Sequence, residues 1–208
     1  KEVAFDGRDQ RAWEFLNNFE DHVLYEDTDL LAINKPAGIA SHYSERNRVG
    51  IVEVARYLRG WDAVSLAHRL DRDTSGVLLL SKSRSGYDGL VKQFANKEES
   101  NMQKIYVAIL EGEFKPDEAV LQVDVPLART DTERMRIITP EEKDTLTDEE
   151  IKDSLTFFHP LAILTNQTGE KRTLVEIQIV TGRTHQIRVV AADYLGHPVI
   201  GDYMYNSQ

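Results

Sequence analysis

The chain has 208 residues, 41% of them hydrophobic, which suits one domain or a slightly long one with a sizeable core. It has no cysteine, which excludes disulfides and thiolate-bound zinc, and no apolar run near the ~18 residues of a membrane span. A net charge of -10 excludes a uniformly basic surface, and taken alone argues against nucleic-acid binding, because neutralising phosphates calls for surplus Lys and Arg.

Residues 1–21 are mixed and polar, with Trp13, Phe15, Leu16 and Phe19 at roughly helical spacing. They read as an N-terminal extension resting on a domain that begins at residue 22. The opening Lys1-Glu2-Val3-Ala4 is not a signal peptide, so a soluble, cytoplasmic protein is expected. Val23–Tyr25 and Leu30–Ile33 read as a hairpin, stopped by Asn34-Lys35-Pro36-Ala37-Gly38. Ile51, Val54, Ala55 and Leu58 predict a helix over 50–59 closed by Gly60, and Tyr87, Leu90, Val91 and Phe94 another over 85–96. Between them, Val77–Leu80 is apolar on both faces, as in a central strand.

Lys104–Leu110 is a further strand, ended near Gly112. Ala119–Val125 and Arg136–Ile138 read as strands flanking an arginine-rich loop. Glu141–Asp153 is a charged excursion, helical at most. It holds seven acidic residues against Lys143 and Lys152, so half of the net charge lies in one segment. Phe157–Thr165 pairs with Thr173–Val180 through a turn at Asn166-Gln167-Thr168-Gly169. A last helix starts near Thr184 as N-cap and ends at Gly196, with the stripe Ile187, Val190, Ala191, Tyr194 and Leu195. The order predicts an α+β fold, a largely antiparallel mixed sheet flanked by helices.

Three clusters could carry chemistry. His68-Arg69-Leu70-Asp71-Arg72-Asp73-Thr74-Ser75-Gly76 crowds charges directly before a buried strand, which is expensive unless they are satisfied. The plain structural reading of Asp71 is a turn cap bridged to Arg69 or Arg72. An Asp-x-Asp-x-Thr/Val phosphatase motif fits Asp71 and Asp73 but not Ser75, and the parallel alternation such enzymes need is missing. A carboxylate pair for hydrolysis stays open. The six histidines are scattered, without zinc-helix spacing. In the second cluster, His185 and Arg188 are neighbours at i, i+3, and Arg188 at the core margin needs a carboxylate partner, with a purely structural salt bridge as the alternative reading. The third is Tyr106, in a strand whose Ile105, Val107 and Ile109 point the opposite way; a core filler with a satisfied hydroxyl is the alternative reading.

Together these blocks resemble the RluA-type pseudouridine synthases. Ile33–Gly38 is similar to their Lys-Pro-x-Gly block, and His68–Gly76 to the signature HRLDxxTSG. Gln103–Tyr106 resembles the tyrosine motif, Gly182–Arg188 matches GRTHQIR, and Gly196–Asp202 matches GHPxxGD. The resemblance covers about residues 22–205 and implies isomerisation of uridine in ribosomal or transfer RNA with no cofactor and no metal. It makes Asp71 the catalytic carboxylate, attacking or deprotonating the sugar, and Tyr106 the ring against the base and a candidate proton carrier. Arg188 is implied to pair with Asp71, Arg69 to occupy the gap left by the flipped nucleotide, and Ile200 to wall the uracil. His68, Lys35, Arg72, Thr74, Arg183 and His185 are implied as further RNA- and substrate-binding residues. The expected partner is structured RNA, with a monomer as the default state and no membrane expected.

Relatives often carry an N-terminal S4 RNA-binding domain, for which there is no room before Val23, so recognition is expected to rest on the catalytic domain or on a segment outside this sequence. The RNA-facing cleft is expected to be lined by Arg46, Arg48, Arg69, Arg72, Arg129, Arg134, Arg136 and Arg183, with Glu141–Asp153 facing away from phosphate or touching a protein partner. A non-catalytic RNA-binding or chaperone protein is the alternative from another class, and a metal-dependent phosphatase a distant third.

Overall fold

Strand β2 (Leu30–Lys35) organises the N-terminal part of the chain, because its alternating side chains put Leu31 and Ile33 wholly inside. The computed structural model describes residues 10–44, 49–60, 64–95, 102–132 and 134–206, which divide into two units, Lys1–Met102 and Gln103–Gln208. In the first, β2 lies between β1 (Val23–Glu26) and β4 (Gly76–Ser81), and β4 also pairs with the short β3 (Ser65–Leu66). Leu31 faces Leu80 and Ile33 faces Leu78 across the β2–β4 ladder. The same register sets Lys35 opposite Gly76, so the stretch preceding β4 emerges beside the end of β2.

Helix α1 (Gln10–Asn17) buries Ala12 and Phe15, and a 3-10 turn (Phe19–His22) buries Phe19, with the two phenyl rings edge to face 5.5 Å apart. Helix α2 (Ile51–Arg59) buries Ile51, Val54 and Ala55 at the predicted spacing and closes on Gly60 in the left-handed region, whose N–H donates to the Arg56 carbonyl. Helix α3 (Arg84–Ala95) buries only Leu90 of its four-residue stripe, and Phe94 stacks on His68.

The second unit holds five antiparallel strands in the order β5 (Lys104–Glu111), β9 (Lys171–Ile179), β8 (Lys152–Thr165), β6 (Leu121–Arg129), β7 (Met135–Ile137). Leu110, Val123, Leu127, Phe158, Val175 and Ile177 cover one face, and helix α4 (Gln186–Val189), continuing as a π turn (Val190–Tyr194), packs Val189, Val190 and Ala191 against them. All named strand pairs are antiparallel, in two sheets. No described helix is long and apolar enough to cross a membrane.

Three expectations shift, the first being β6, which runs Leu121–Arg129 rather than Ala119–Val125. The last helix does not use Thr184 as its N-cap: His185 precedes it with φ 53, and the Gln186 side chain turns back to accept the Arg183 N–H at 3.0 Å. Strand β8 starts at Lys152 rather than Phe157, because Lys152–Leu155 pair with β6 across the sheet. The acidic excursion is otherwise irregular, with a 3-10 turn at Pro140–Glu142.

Candidate active site

Asp71 sits partly buried on the loop that enters β4, and the backbone on each side of it is tied down. Before it, Leu70 exchanges two hydrogen bonds with Ser41: the Ser41 hydroxyl donates to the Leu70 carbonyl at 2.7 Å, and the Leu70 N–H donates back at 3.1 Å. After it, the Arg72 carbonyl accepts from the Gly38 N–H at 2.8 Å and from the Lys35 ammonium at 2.9 Å. The Thr74 N–H closes a turn onto the Asp71 carbonyl at 3.2 Å. The side chain of Asp71 is thus carried by a segment fixed at three points.

Lys35 is 0% exposed and places its ammonium among three carbonyls, those of Pro36 (2.9 Å), Ile39 (2.7 Å) and Arg72 (2.9 Å). Three donors meet three acceptors, which is what a buried ammonium requires. Burial lowers its pKa to about 8, against the opposing pull of Asp73 and Asp71. The resemblance implied contact with RNA for Lys35; in the fold it lies beneath the loop, a brace. His68 also has a local role: its Nε2 accepts the Leu79 N–H at 2.9 Å, so that nitrogen carries no proton. Arg69 and Arg72 are exposed, the latter reaching the Gly38 carbonyl through Nε at 3.2 Å, and Thr74 is partly buried. Gly38, at φ 87, is required here: a Cβ would meet the Arg11 side chain.

In the second unit Tyr106 stands on β5 opposite Ile177 and packs against the core, whereas Ile105, Val107 and Ile109 project from the other, exposed face. The alternation expected from sequence holds, with the tyrosine on the inward side. Ile200 is stitched to the same strand by its N–H to the Ile109 carbonyl at 2.9 Å. Arg188 is gripped by Asp202, Nε to Oδ2 at 2.6 Å and Nη2 to Oδ1 at 2.9 Å. Its guanidinium also lies 5.1 Å from the Tyr205 ring centre and 5.8 Å from that of Tyr203. His185 contacts the Tyr205 hydroxyl through Nδ1 at 3.1 Å, and Arg183 donates through Nε to the Asp153 carbonyl at 2.9 Å.

Of the arginines expected along an RNA-facing surface, Arg46 and Arg48 lie outside the described residues. Arg129 is exposed, Arg134 pairs with Asp193 at 3.2 Å, and Arg136 pairs with Glu142 at 2.7 Å. The acidic excursion therefore reaches back to the arginine-rich strands at Glu142. Ser41 and Asp202 were not singled out as site residues from sequence. Ser41 gives no signal, since its partner is 29 residues away; Asp202 closes the last of the five blocks, and that position was its only cue.

The sequence profile described as RNA pseudouridylate synthase matches residues 29–193, a stretch that runs through both units. The ribosomal large subunit pseudouridine synthase C of Buchnera aphidicola subsp. Schizaphis graminum is 37% identical over 199 residues, 94% of this chain and 57% of that protein. The protein of the same name from Escherichia coli K12 is 37% identical over 192 residues, 90% of this chain and 54% of its own length. The chain spans a little over half the length of these curated relatives. Among solved structures, Human RNA Pseudouridylate Synthase Domain Containing 1 superposes with a TM-score of 0.68 at 26% identity, covering 88% of this chain and 69% of that one. Human RNA Pseudouridylate Synthase Domain Containing 4 does so with a TM-score of 0.69 at 25% identity, covering 95% and 73%.

Proposed function

The chain belongs to the RNA pseudouridylate synthase family, and on that premise we propose that it isomerises uridine to pseudouridine in structured RNA, with Asp71 as the catalytic carboxylate. The observation that carries this reading is the loop around Asp71, held by Ser41 on one side and by Lys35 and Gly38 on the other. A carboxylate that must meet one sugar carbon in one orientation needs such a fixed backbone. The names of the bacterial relatives favour ribosomal RNA as the substrate, with transfer RNA the second class to test. Residues 22–208 form the catalytic region in this reading, and the preceding residues flank it.

The chemistry is redox-neutral and confined to one nucleotide. The bond from N1 of uracil to C1′ breaks, the base turns, a bond from C5 to C1′ forms, C5 loses a proton and N1 gains one. The balance calls for no oxidant, reductant or group donor, which is why no cofactor is proposed. A uridine inside folded RNA has to be extruded first, at a few kcal/mol. Tyr106 contributes the aromatic surface for the base, worth about 1–3 kcal/mol. Ile200 contributes apolar wall, and Arg69 fills the vacated stack. Arg188 is the cation that the family resemblance assigns to the reaction. Exposed Arg72 and partly buried Thr74, Arg183 and His185 are the remaining candidates for contact with RNA.

Loss of the C5 hydrogen makes the reaction measurable. RNA transcribed with uridine tritiated at C5 is expected to release tritium to water on incubation with this protein, ribosomal transcripts faster than transfer RNA. Folded, RNA-binding protein that releases none from either class would overturn the assignment in favour of a binding module.

A further inference from the structure

We propose that Asp202 is the positioning residue for Arg188: its buried carboxylate, not the guanidinium's own chain, sets where the cation stands during isomerisation. The inference rests on Arg188 acting in the proposed reaction. An arginine has four rotatable side-chain bonds, and a guanidinium that must stabilise charge at one place loses effectiveness if it wanders. Here the freedom is removed from two directions. The Asp202 side chain, 3% exposed, takes the Nε–Nη2 edge of Arg188 in a two-point fork. The Tyr205 ring lies against it on another side, itself fixed by a hydroxyl that accepts the Met135 N–H at 2.7 Å and backed by Arg134 at 4.7 Å from the ring centre. By covalent geometry, the fork on Nε and Nη2 leaves the Nη1 side of the guanidinium turned away from Asp202.

Asp202 is fixed in turn. Its Oδ1 also accepts the N–H groups of Met204 (2.9 Å) and Tyr205 (3.1 Å), so the chain after α4 folds around the carboxylate. Burial raises the pKa of Asp202, but the hydrogen bonds from Arg188 and the two amides outweigh it and hold the group below the usual carboxylate range. It stays ionised at working pH. This gives Asp202 two separable functions, a turn organiser through the amides and a rein on Arg188 through the fork.

Asp202→Asn separates them. The amide oxygen can still accept from Met204 and Tyr205, while its NH2 turns a donor toward the Nε–H of Arg188 and breaks the fork. The expected result, with tritium release as the assay, is a fall in kcat of roughly 100-fold, the scale of a misplaced group, with KM and RNA affinity unchanged. In an Arg188→Met background the same substitution is expected to add almost nothing, because it acts through the guanidinium. Losses that multiply in the double variant, or an unchanged kcat in the single one, overturn the proposal. If Asp202→Asn does not fold, Asp202→Glu keeps the charge and displaces it by one methylene; a lowered kcat at constant KM supports the proposal and a wild-type kcat overturns it. Wild-type protein run in parallel distinguishes the two levels, since absence of release there defeats the enzymatic reading itself.

Discussion

Lys35 and Ser41 show how single side chains fix a loop from beneath. Lys35 contributes in a pH-dependent way. Its pKa, about 8 in the fold and 10.5 ordinarily, means that below about pH 8 both folded and unfolded chains carry the proton. Between about 8 and 10.5 the unfolded chain holds a proton the folded one has lost, so the contribution of this group to stability rises with pH across that window. The expected outcome is that the stability difference between wild type and Lys35→Met, from urea unfolding, shifts in favour of wild type by on the order of 2–3 kcal/mol between pH 7.5 and 10.5. A difference flat with pH would mean that the ammonium is not buried as described. Ser41→Ala removes both bonds to Leu70 and leaves a buried N–H and C=O unsatisfied. It is expected to cost about 1–3 kcal/mol in unfolding experiments and to lower turnover more than RNA binding.

At the level of elements, the site begins where β2 ends. The β2–β4 register sets Lys35 against Gly76, and the turn at Gly38 brings its N–H to the Arg72 carbonyl. Gly38→Ala forces a side chain into the left-handed region and onto Arg11. Thermal unfolding is expected to show a loss of at least about 1–2 kcal/mol, the left-handed penalty alone; an unchanged midpoint would contradict the turn geometry. These strands were legible in the sequence because alternation and turn residues are local signals, as in β5, β9 and the turn at Asn166–Gly169. What escaped was set by distant partners. Strand β3 is two residues long and exists only through its pairing with β4. Strand β8 extends into polar Ser154 and Thr156, whose burial is supported by Val125 and Gln186 from elsewhere in the chain. The start of α4 moves because His185 takes a left-handed conformation that no local pattern announces. The site blocks were readable as motifs, yet the brace role of Lys35 and the grip of Asp202 appear only in three dimensions.

For the whole molecule, a net charge of -10 has to coexist with the RNA substrate proposed for it. Two arginines expected to meet phosphate are already paired inside the second unit, Arg134 with Asp193 and Arg136 with Glu142. Both pairs are partly exposed, so each is weak and exchangeable. Glu142→Gln is expected to tighten RNA binding roughly 2–5-fold at low salt and to steepen its salt dependence; affinity left unchanged would take Arg136 off the RNA-facing surface. The proposed isomerisation depends on one carboxylate, that of Asp71. Asp71→Asn preserves the shape of the side chain and removes its charge, so the most direct measurement is tritium release from C5-labelled ribosomal RNA by wild type and this variant, alongside RNA affinity and thermal midpoint. Release by wild type, background release by Asp71→Asn, and closely similar binding and stability for both are the expected result. A variant that releases tritium at the wild-type rate would contradict it and move the catalytic carboxylate elsewhere.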